Sequence, residues 1–391
     1  MHRLLLAWVF VFSTTTAGAS CGGNFGEFLV ALRQDAIDLG YSRTLVNTFF
    51  NEVEQDPKVL KADRSQSIFQ QDFVTFSRAL ISEHRFANAK KNAKKYESTF
   101  NFIHEIFGVP AGVLLAFWAF ETDFGANQGN FNTLNSLVTL AHDCRRPDLF
   151  RPQVFAALEL FQRKEFDPVL TQGAWAGEIG MIQILPQDIL ESGTDGDGDG
   201  EVDLQNSAPD ALMTGARLLN RMGWQFNEPW LQEIELPKDL DWAMTGLDKA
   251  YPVSLWKALG VTARNGVLVD NSTPTSVLLP VGHKGPAFLA YPNFSVYFEW
   301  NQSLTYVTTA AYFATILSSE PAYAVRTPAK GLNTIQMHNI QTKLAHLGHN
   351  VGKIDGILGY KTRVAVQAEQ QRLGFPADAW PTPELLNRLS R

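Results

Sequence analysis

Long apolar runs are scarce in this sequence. Beyond the first twenty residues no stretch reaches the ~20 consecutive apolar residues that a membrane-spanning helix requires. Cysteine is nearly absent, Cys21 and Cys144 being the only two, which excludes a disulfide-dense scaffold and leaves no zinc-type Cys/His spacing. Positive charge is in deficit: 33 Lys and Arg stand against 40 Asp and Glu, a net charge of −7 with no basic footprint for nucleic acid. Neither an internal repeat nor a low-complexity tract is visible. What is present is a globular composition, 45% hydrophobic with 27 Phe and 9 Trp, long enough at 391 residues for two or three domains.

The N-terminus "MHRLLLAWVFVFSTTTAGAS" has a short basic start, an apolar run from Leu4 to Phe12 and a small-residue end at Ala17-Gly18-Ala19. That pattern predicts a signal peptide over residues 1–19, cleaved before Ser20, and hence an exported protein. In an exported chain an even cysteine pair favours one disulfide, Cys21 to Cys144. Lipidation of Cys21 is the competing reading, weakened because the usual Leu three positions upstream is missing.

From Phe25 to about Met222 the periodicity is helical, with segments near 43–54, 68–82, 84–106, 110–122, 133–142, 151–163 and 209–222. Between about 223 and 292 the texture turns to short strands punctuated by Gly and Pro, a small β insertion. Helix returns near 295–318. "SSEPAYAVRTPAKG" at 318–331 reads as a linker, and 332–391 as a separate compact unit. The expected class is mainly α (α+β).

One stretch stands out chemically. "LLAFWAFETDFGANQGNF" (114–131) is apolar on every side until Glu121 and Asp123. Pro110 suits the first helical turn and Gly125 the stop. Leu114, Phe117, Trp118 and Glu121 then share a face, so Glu121 meets aromatic walls, and desolvation lifts its proton affinity toward that of a general acid. A buried Arg or backbone amides satisfying Glu121 is the equally open alternative. Asp123, two residues on, points to nearly the opposite face, so this segment offers one carboxylate rather than a glycosidase pair.

"GAWAGEIGMIQILP" (173–186) combines close-approach glycines with Gln183, a donor and acceptor suited to sugar hydroxyls or N-acetyl groups. "TDGDGDGEVDL" (194–204) spaces Asp195, Asp197 and Asp199 like positions 1, 3 and 5 of a Ca²⁺ loop, with the Gly at position 6. Glu201 is placed to add its backbone carbonyl. The closing Glu is replaced by Asn206, leaving Asp210 to close the site, which would hold a hard, structural cation, Ca²⁺ or Na⁺. Arg145 and Arg146 are candidates to bind substrate carboxylates or to pair with Glu121 or surface acids. His346 and His349 read as a polar helix face.

Together these residues resemble the B family of lytic murein transglycosylases, which has a lysozyme-like fold. "FWAFETDFG" is similar to the segment carrying that family's catalytic Glu, "SLVTLAHDCRRPDLFR" to the one after it, and "WAGEIGMIQILP" to its Gly-rich Gln-Pro loop. "DGDGDGEVDL" resembles its EF-hand-like cation loop and "GPAFLAYPNFSVYFEWNQSLTYV" the end of its catalytic domain. The chain departs from the pattern at Ala174, where a Ser is usual, and at Gly177-Glu178-Ile179-Gly180. Residues 332–391 resemble a three-helix peptidoglycan-binding domain, with Glu369 and Ala379 as departures.

The resemblance implies a lysozyme-like helical catalytic domain over 20–317 (insertion about 223–292), a linker over 318–331 and a binding domain over 332–391. It implies Glu121 as sole acid/base, with Arg145, Arg146, Gln183, Asn293 and Tyr297 contacting substrate. The expected activity is a lyase cleavage of the MurNAc–GlcNAc β-1,4 bond of peptidoglycan, leaving 1,6-anhydro ends, without an organic cofactor. The expected setting is a periplasmic monomer, its partners glycan strands and cell-wall machinery proteins. A lysozyme-type muramidase, or a non-catalytic wall-binding protein, are the alternatives.

Overall fold

The computed structural model describes residues 21–65, 71–269 and 272–390; the leader expected at 1–19 lies outside the described residues. The core is built on the Ala111–Thr122 helix, in which Val113 to Ala119 are all at most 3% exposed. A helix apolar all round is stable only when surrounded, and this one is wrapped by the helices Glu83–Lys95, Glu97–Phe107, Ala208–Arg221 and Leu304–Leu317. Gly112 and Gly215 permit the close approach. A Cβ on Gly112 would lie 2.8 Å from the Ala314 carbonyl, and one on Gly215 would lie 2.6 Å from Ile182.

The disulfide between Cys21 and Cys144 ties the N-terminal helix Phe25–Asp38 to the end of Thr133–His142. Gly22 N–H donates to the His142 carbonyl at 2.8 Å beside it. Among the described residues no single helix is long and apolar enough to cross a membrane.

Several elements differ from expectation. The segment 84–106 is two helices, because the Tyr96 backbone leaves helical geometry and its ring packs on Trp118 (5.7 Å). The helix near 43–54 stops at Phe49, and Pro57 opens an unforeseen one to Arg64 behind the Asp56 cap. The segment 295–318 is also two helices, Pro292–Trp300 and Leu304–Leu317. Asn301 Oδ1 accepts from Ser303 N–H at 2.9 Å between them, and Ser303 caps the second.

Two small sheets complete the catalytic half. β1 (Phe131–Asn132) pairs antiparallel with β2 (Gln172–Gly173). The insertion holds β3 (Leu231–Glu235), β4 (Tyr251–Pro252), β5 (Thr262–Ala263), β6 (Pro274–Leu278) and β7 (Ala287–Ala290), antiparallel in the order β4-β6-β7-β3-β5. The sheet has a core of its own around Trp256, Val277 and Leu289.

The C-terminal helices Thr334–His346, Tyr360–Leu373 and Pro383–Arg388 pack around Ile340, Leu344 and Val366. Glu369, an aromatic position in the resembled pattern, is buried and paired with His349 and Arg372. This unit has its own core, yet it is docked rather than tethered. Gln367 Nε2 donates to the Thr245 carbonyl at 2.9 Å, and Arg363 donates to the Pro280 carbonyl at 2.7 Å. Asp378 accepts from His283 N–H at 3.0 Å and pairs with its ring at 2.6 Å. The linker is a strap: Tyr323 bonds Ser77 at 2.9 Å, Ala324 N–H donates to Glu233 and Trp380 Nε1 donates to the Ala329 carbonyl.

Asp378 also accepts from Trp380 N–H and Gln370, so removing its carboxylate leaves several buried donors without partners. Asp378→Ala should lower the stability of the full chain by about 1–3 kcal/mol in urea unfolding. It should also speed proteolytic cutting within 318–331.

Candidate active site

The helix carrying Glu121 ends in a tight, strained turn. Asp123, Phe124 and Gly125 all adopt positive φ, at 52°, 61° and 88°. For Phe124 this costs on the order of 1–3 kcal/mol and persists only where the surroundings over-determine it. They do so here. Phe124 N–H donates to the Trp118 carbonyl at 3.1 Å, Asn127 N–H to the Thr122 carbonyl at 2.9 Å, and Gly125 N–H to Thr122 Oγ1 at 2.8 Å. Thr122 Oγ1 in turn donates to the Met181 carbonyl, joining the turn to the Gly-rich loop. Asp123 faces away and pairs with Arg85 at 3.3 Å.

Glu121 is half-buried at the mouth of this turn. Its Oε1 accepts from Trp300 Nε1 at 3.0 Å and from the Tyr306 hydroxyl. The Trp300 ring stacks on Phe117 with centroids 4.3 Å apart, so the helix that carries the acid also fixes its donor. The break at 301–303 is what lets Trp300, last in one helix, and Tyr306, in the first turn of the next, converge on one oxygen. Desolvation pushes the Glu121 carboxyl up to about 7, opposed by the Tyr306 and Trp300 hydrogen bonds and reinforced by the Glu178 charge. The arrangement is that of a proton donor near neutral pH.

The other expected site residues fall into three groups. Arg145 and Arg146 do not reach Glu121; both pair with the buried Asp63. Arg146 also lines a cavity of about 1500 Å³ whose wall includes Trp300, the indole donor to Glu121. Gln183, at φ 56°, donates its amide to the Gly180 carbonyl at 2.8 Å and the Gln128 carbonyl at 3.2 Å. Asn293 and Tyr297 are corrected: both are 0% exposed. Asn293 bridges the Gln225 amide and the Gln225 and Glu228 carbonyls, while Tyr297 packs on Phe117 at 5.1 Å. The family resemblance implied contact with substrate; the fold uses them to join helix to loop and to fill the core.

In the acidic loop, carboxylate oxygens of Asp195, Asp197 and Asp210 lie within 4.8 Å of one another. The Asp199 carboxylate lies outside that cluster and accepts from Glu201 N–H at 2.9 Å. Asp210, 1% exposed, accepts from Gly196 and Asp203 N–H and so closes the loop. Three clustered carboxylates are an all-oxygen set that fits a hard cation.

Four participants were not foreseen. Trp300 and Tyr306 stand 179 and 185 residues from Glu121, and nothing local marks them. Asp63 carries no signal either. Glu178 did carry one: an acid between two glycines in an otherwise apolar loop.

The Transglycosylase SLT domain family matches residues 24–315, and a peptidoglycan binding domain family matches 335–389. The chain is 24% identical over 241 residues to membrane-bound lytic murein transglycosylase B of Escherichia coli (strain K12), spanning 60% of this chain and 64% of that relative. It superposes on crystalline SltB3 from Pseudomonas aeruginosa, in complex with NAG-anhNAM-pentapeptide, with a TM-score of 0.86 and 32% identity. That match covers 95% of this chain and all of the other. The Escherichia coli lytic transglycosylase Slt35 in complex with calcium shares the fold, with a TM-score of 0.63 and 21% identity over 77% of this chain and 96% of that one.

The raised Glu121 carboxyl has a consequence for stability. Between its ordinary value of 4.5 and about 7, the folded chain holds a proton that the unfolded chain has released, so stability falls as pH rises through this window. Glu121→Gln removes that penalty. In urea unfolding the variant should match its parent near pH 4 and exceed it near pH 8, by on the order of 3 kcal/mol.

Proposed function

The chain belongs to the Transglycosylase SLT family, and from that premise we propose that it is a lytic transglycosylase of peptidoglycan with Glu121 as its acid/base. The observation that carries this is a single carboxyl, lifted to about 7 and held by Tyr306 and by Trp300, which also lines a large cavity. In the proposed reaction Glu121 gives its proton to the glycosidic oxygen between N-acetylmuramic acid and N-acetylglucosamine as the C1–O bond breaks. Its carboxylate then takes the proton from the muramyl C6 hydroxyl, whose oxygen bonds to C1. The 1,6-anhydro ring closes without water, and Glu121 ends protonated, ready for the next bond.

The catalytic domain takes in residues 20–317 and the wall-binding unit 332–391, joined by 318–331. Export to the periplasm rests on the leader expected at 1–19, and lipid attachment at Cys21 is disfavoured because its sulfur is in the disulfide. Arg146 and Gln183 are the substrate contacts retained from the sequence reading, the former on the strength of its place in the cavity wall.

A second reading is hydrolysis of the lysozyme type. The presence of Glu178 near Glu121 favours it, since a muramidase needs a second carboxylate. The free Glu178 oxygen is buried, which leaves it no room to deliver a water and puts hydrolysis second. Mass spectrometry of digested murein separates the two: the transglycosylase yields anhydro ends, the hydrolase ends heavier by one water. Glu121→Gln should lower murein cleavage at least 100-fold; unchanged clearance overturns the enzymatic reading.

For the acidic loop we infer a structural Ca²⁺ held by Asp195, Asp197 and Asp210, with no part in the reaction. Its charge would offset three mutually repelling carboxylates. At calcium a hundredfold above Kd the ion should add about 3 kcal/mol of stability. Chelation should therefore lower Tm, and Asp210→Ala should abolish that response; a Tm indifferent to chelator overturns the assignment.

A further inference from the structure

Glu178 sits in the loop that closes over the strained end of the Glu121 helix. That loop is clamped at both ends: Gly173 pairs with Phe131 between β2 and β1, and the Met181 carbonyl accepts from Thr122, the neighbour of Glu121. It also leaves no slack. The Ala174 N–H donates to the Glu178 carbonyl at 2.9 Å, and a Cβ at Gly173 would lie 2.0 Å from that same oxygen. The Glu178 Oε2 is buried with no hydrogen-bond partner among the described residues. Such an unpartnered oxygen is expensive, and packing alone would be better served by an apolar side chain.

The two acids differ in what favours their charge. Burial pushes the Glu178 carboxyl up as well, opposed by its own backbone amide, the Arg146 guanidinium within Coulombic reach and the Ala176 amide. Glu121 has two neutral donors, Trp300 and Tyr306. Of a buried carboxyl pair, the one with the cation and the amides ionises first, and its charge then opposes ionisation of the other.

We propose that Glu178 is a positioning residue for the proton of Glu121: fixed in the loop as an anion with Arg146 as its counter-charge, it keeps Glu121 in the protonated form needed to meet a glycosidic oxygen. The inference rests on the reading of Glu121 as the acid. Besides Tyr306, the charged groups bordering the pair are Arg85, which acts on Tyr306 and holds Asp123, and Asp63, which shares Arg146.

The test is ¹³C NMR of the full chain labelled at glutamate carboxyls, with Glu121 and Glu178 assigned by loss of their signals in Glu121→Gln and Glu178→Gln. In Glu178→Gln the Glu121 midpoint should fall by about half to one pH unit, and the alkaline limb of murein cleavage should move down with it. Glu178→Asp, which keeps the charge, should restore most of both. An unmoved Glu121 midpoint in Glu178→Gln overturns the proposal. Should that variant fail to fold, the parent protein decides: Glu178 must ionise at lower pH than Glu121, and the reverse order overturns it. A Glu121→Gln variant that still cleaves murein sinks the catalytic reading alone, since the NMR midpoints do not depend on turnover.

Discussion

The structure depends on holding one carboxyl in a place where a charge is unwelcome. Glu121 ends a helix with no polar side, and among the described residues its direct partners are an indole N–H and a phenol O–H. Both are neutral donors. They orient the carboxyl without supplying the positive charge that would ionise it. A guanidinium in their place would turn the same helix end into an inert buried ion pair.

Much of the surrounding fold follows from that requirement. The strained Asp123–Gly125 turn releases the chain soon after Glu121, so no further helical turn follows the carboxyl. The break at 301–303 aims Trp300 and Tyr306 at the same oxygen. The Arg pair, which would disturb the arrangement if it reached Glu121, is drawn aside by the buried Asp63. The C-terminal unit is bound to the sheet and to the strap by buried and half-buried hydrogen bonds, so the cavity wall it shares with the catalytic half is held in place.

Features carried by short-range pattern were legible before the fold was seen. The Ala111–Thr122 helix could be read because it is apolar throughout and bounded by Pro110 and Gly125. The acidic loop could be read as far as Asp195 and Asp197, with Asp210 as its closing acid, because loop ligands follow chain spacing. At Asp199 the spacing did not carry over, its carboxylate lying outside the cluster. Asn293 and Tyr297 differ for another reason: the family resemblance implied substrate contact, whereas Asn293 satisfies loop backbone and Tyr297 is core.

By itself, the sequence determined which carboxyl would be desolvated, since seven apolar neighbours in a row leave a helix nowhere to go but the interior. It also determined the family pattern and the three-helix character of the last sixty residues. Tertiary structure alone decided who meets Glu121. Trp300, Tyr306 and Glu178 reach it through turns and breaks whose directions are set by packing, and the electrostatics of a buried acid are fixed by whatever lies within a few ångströms of it, however far away along the chain.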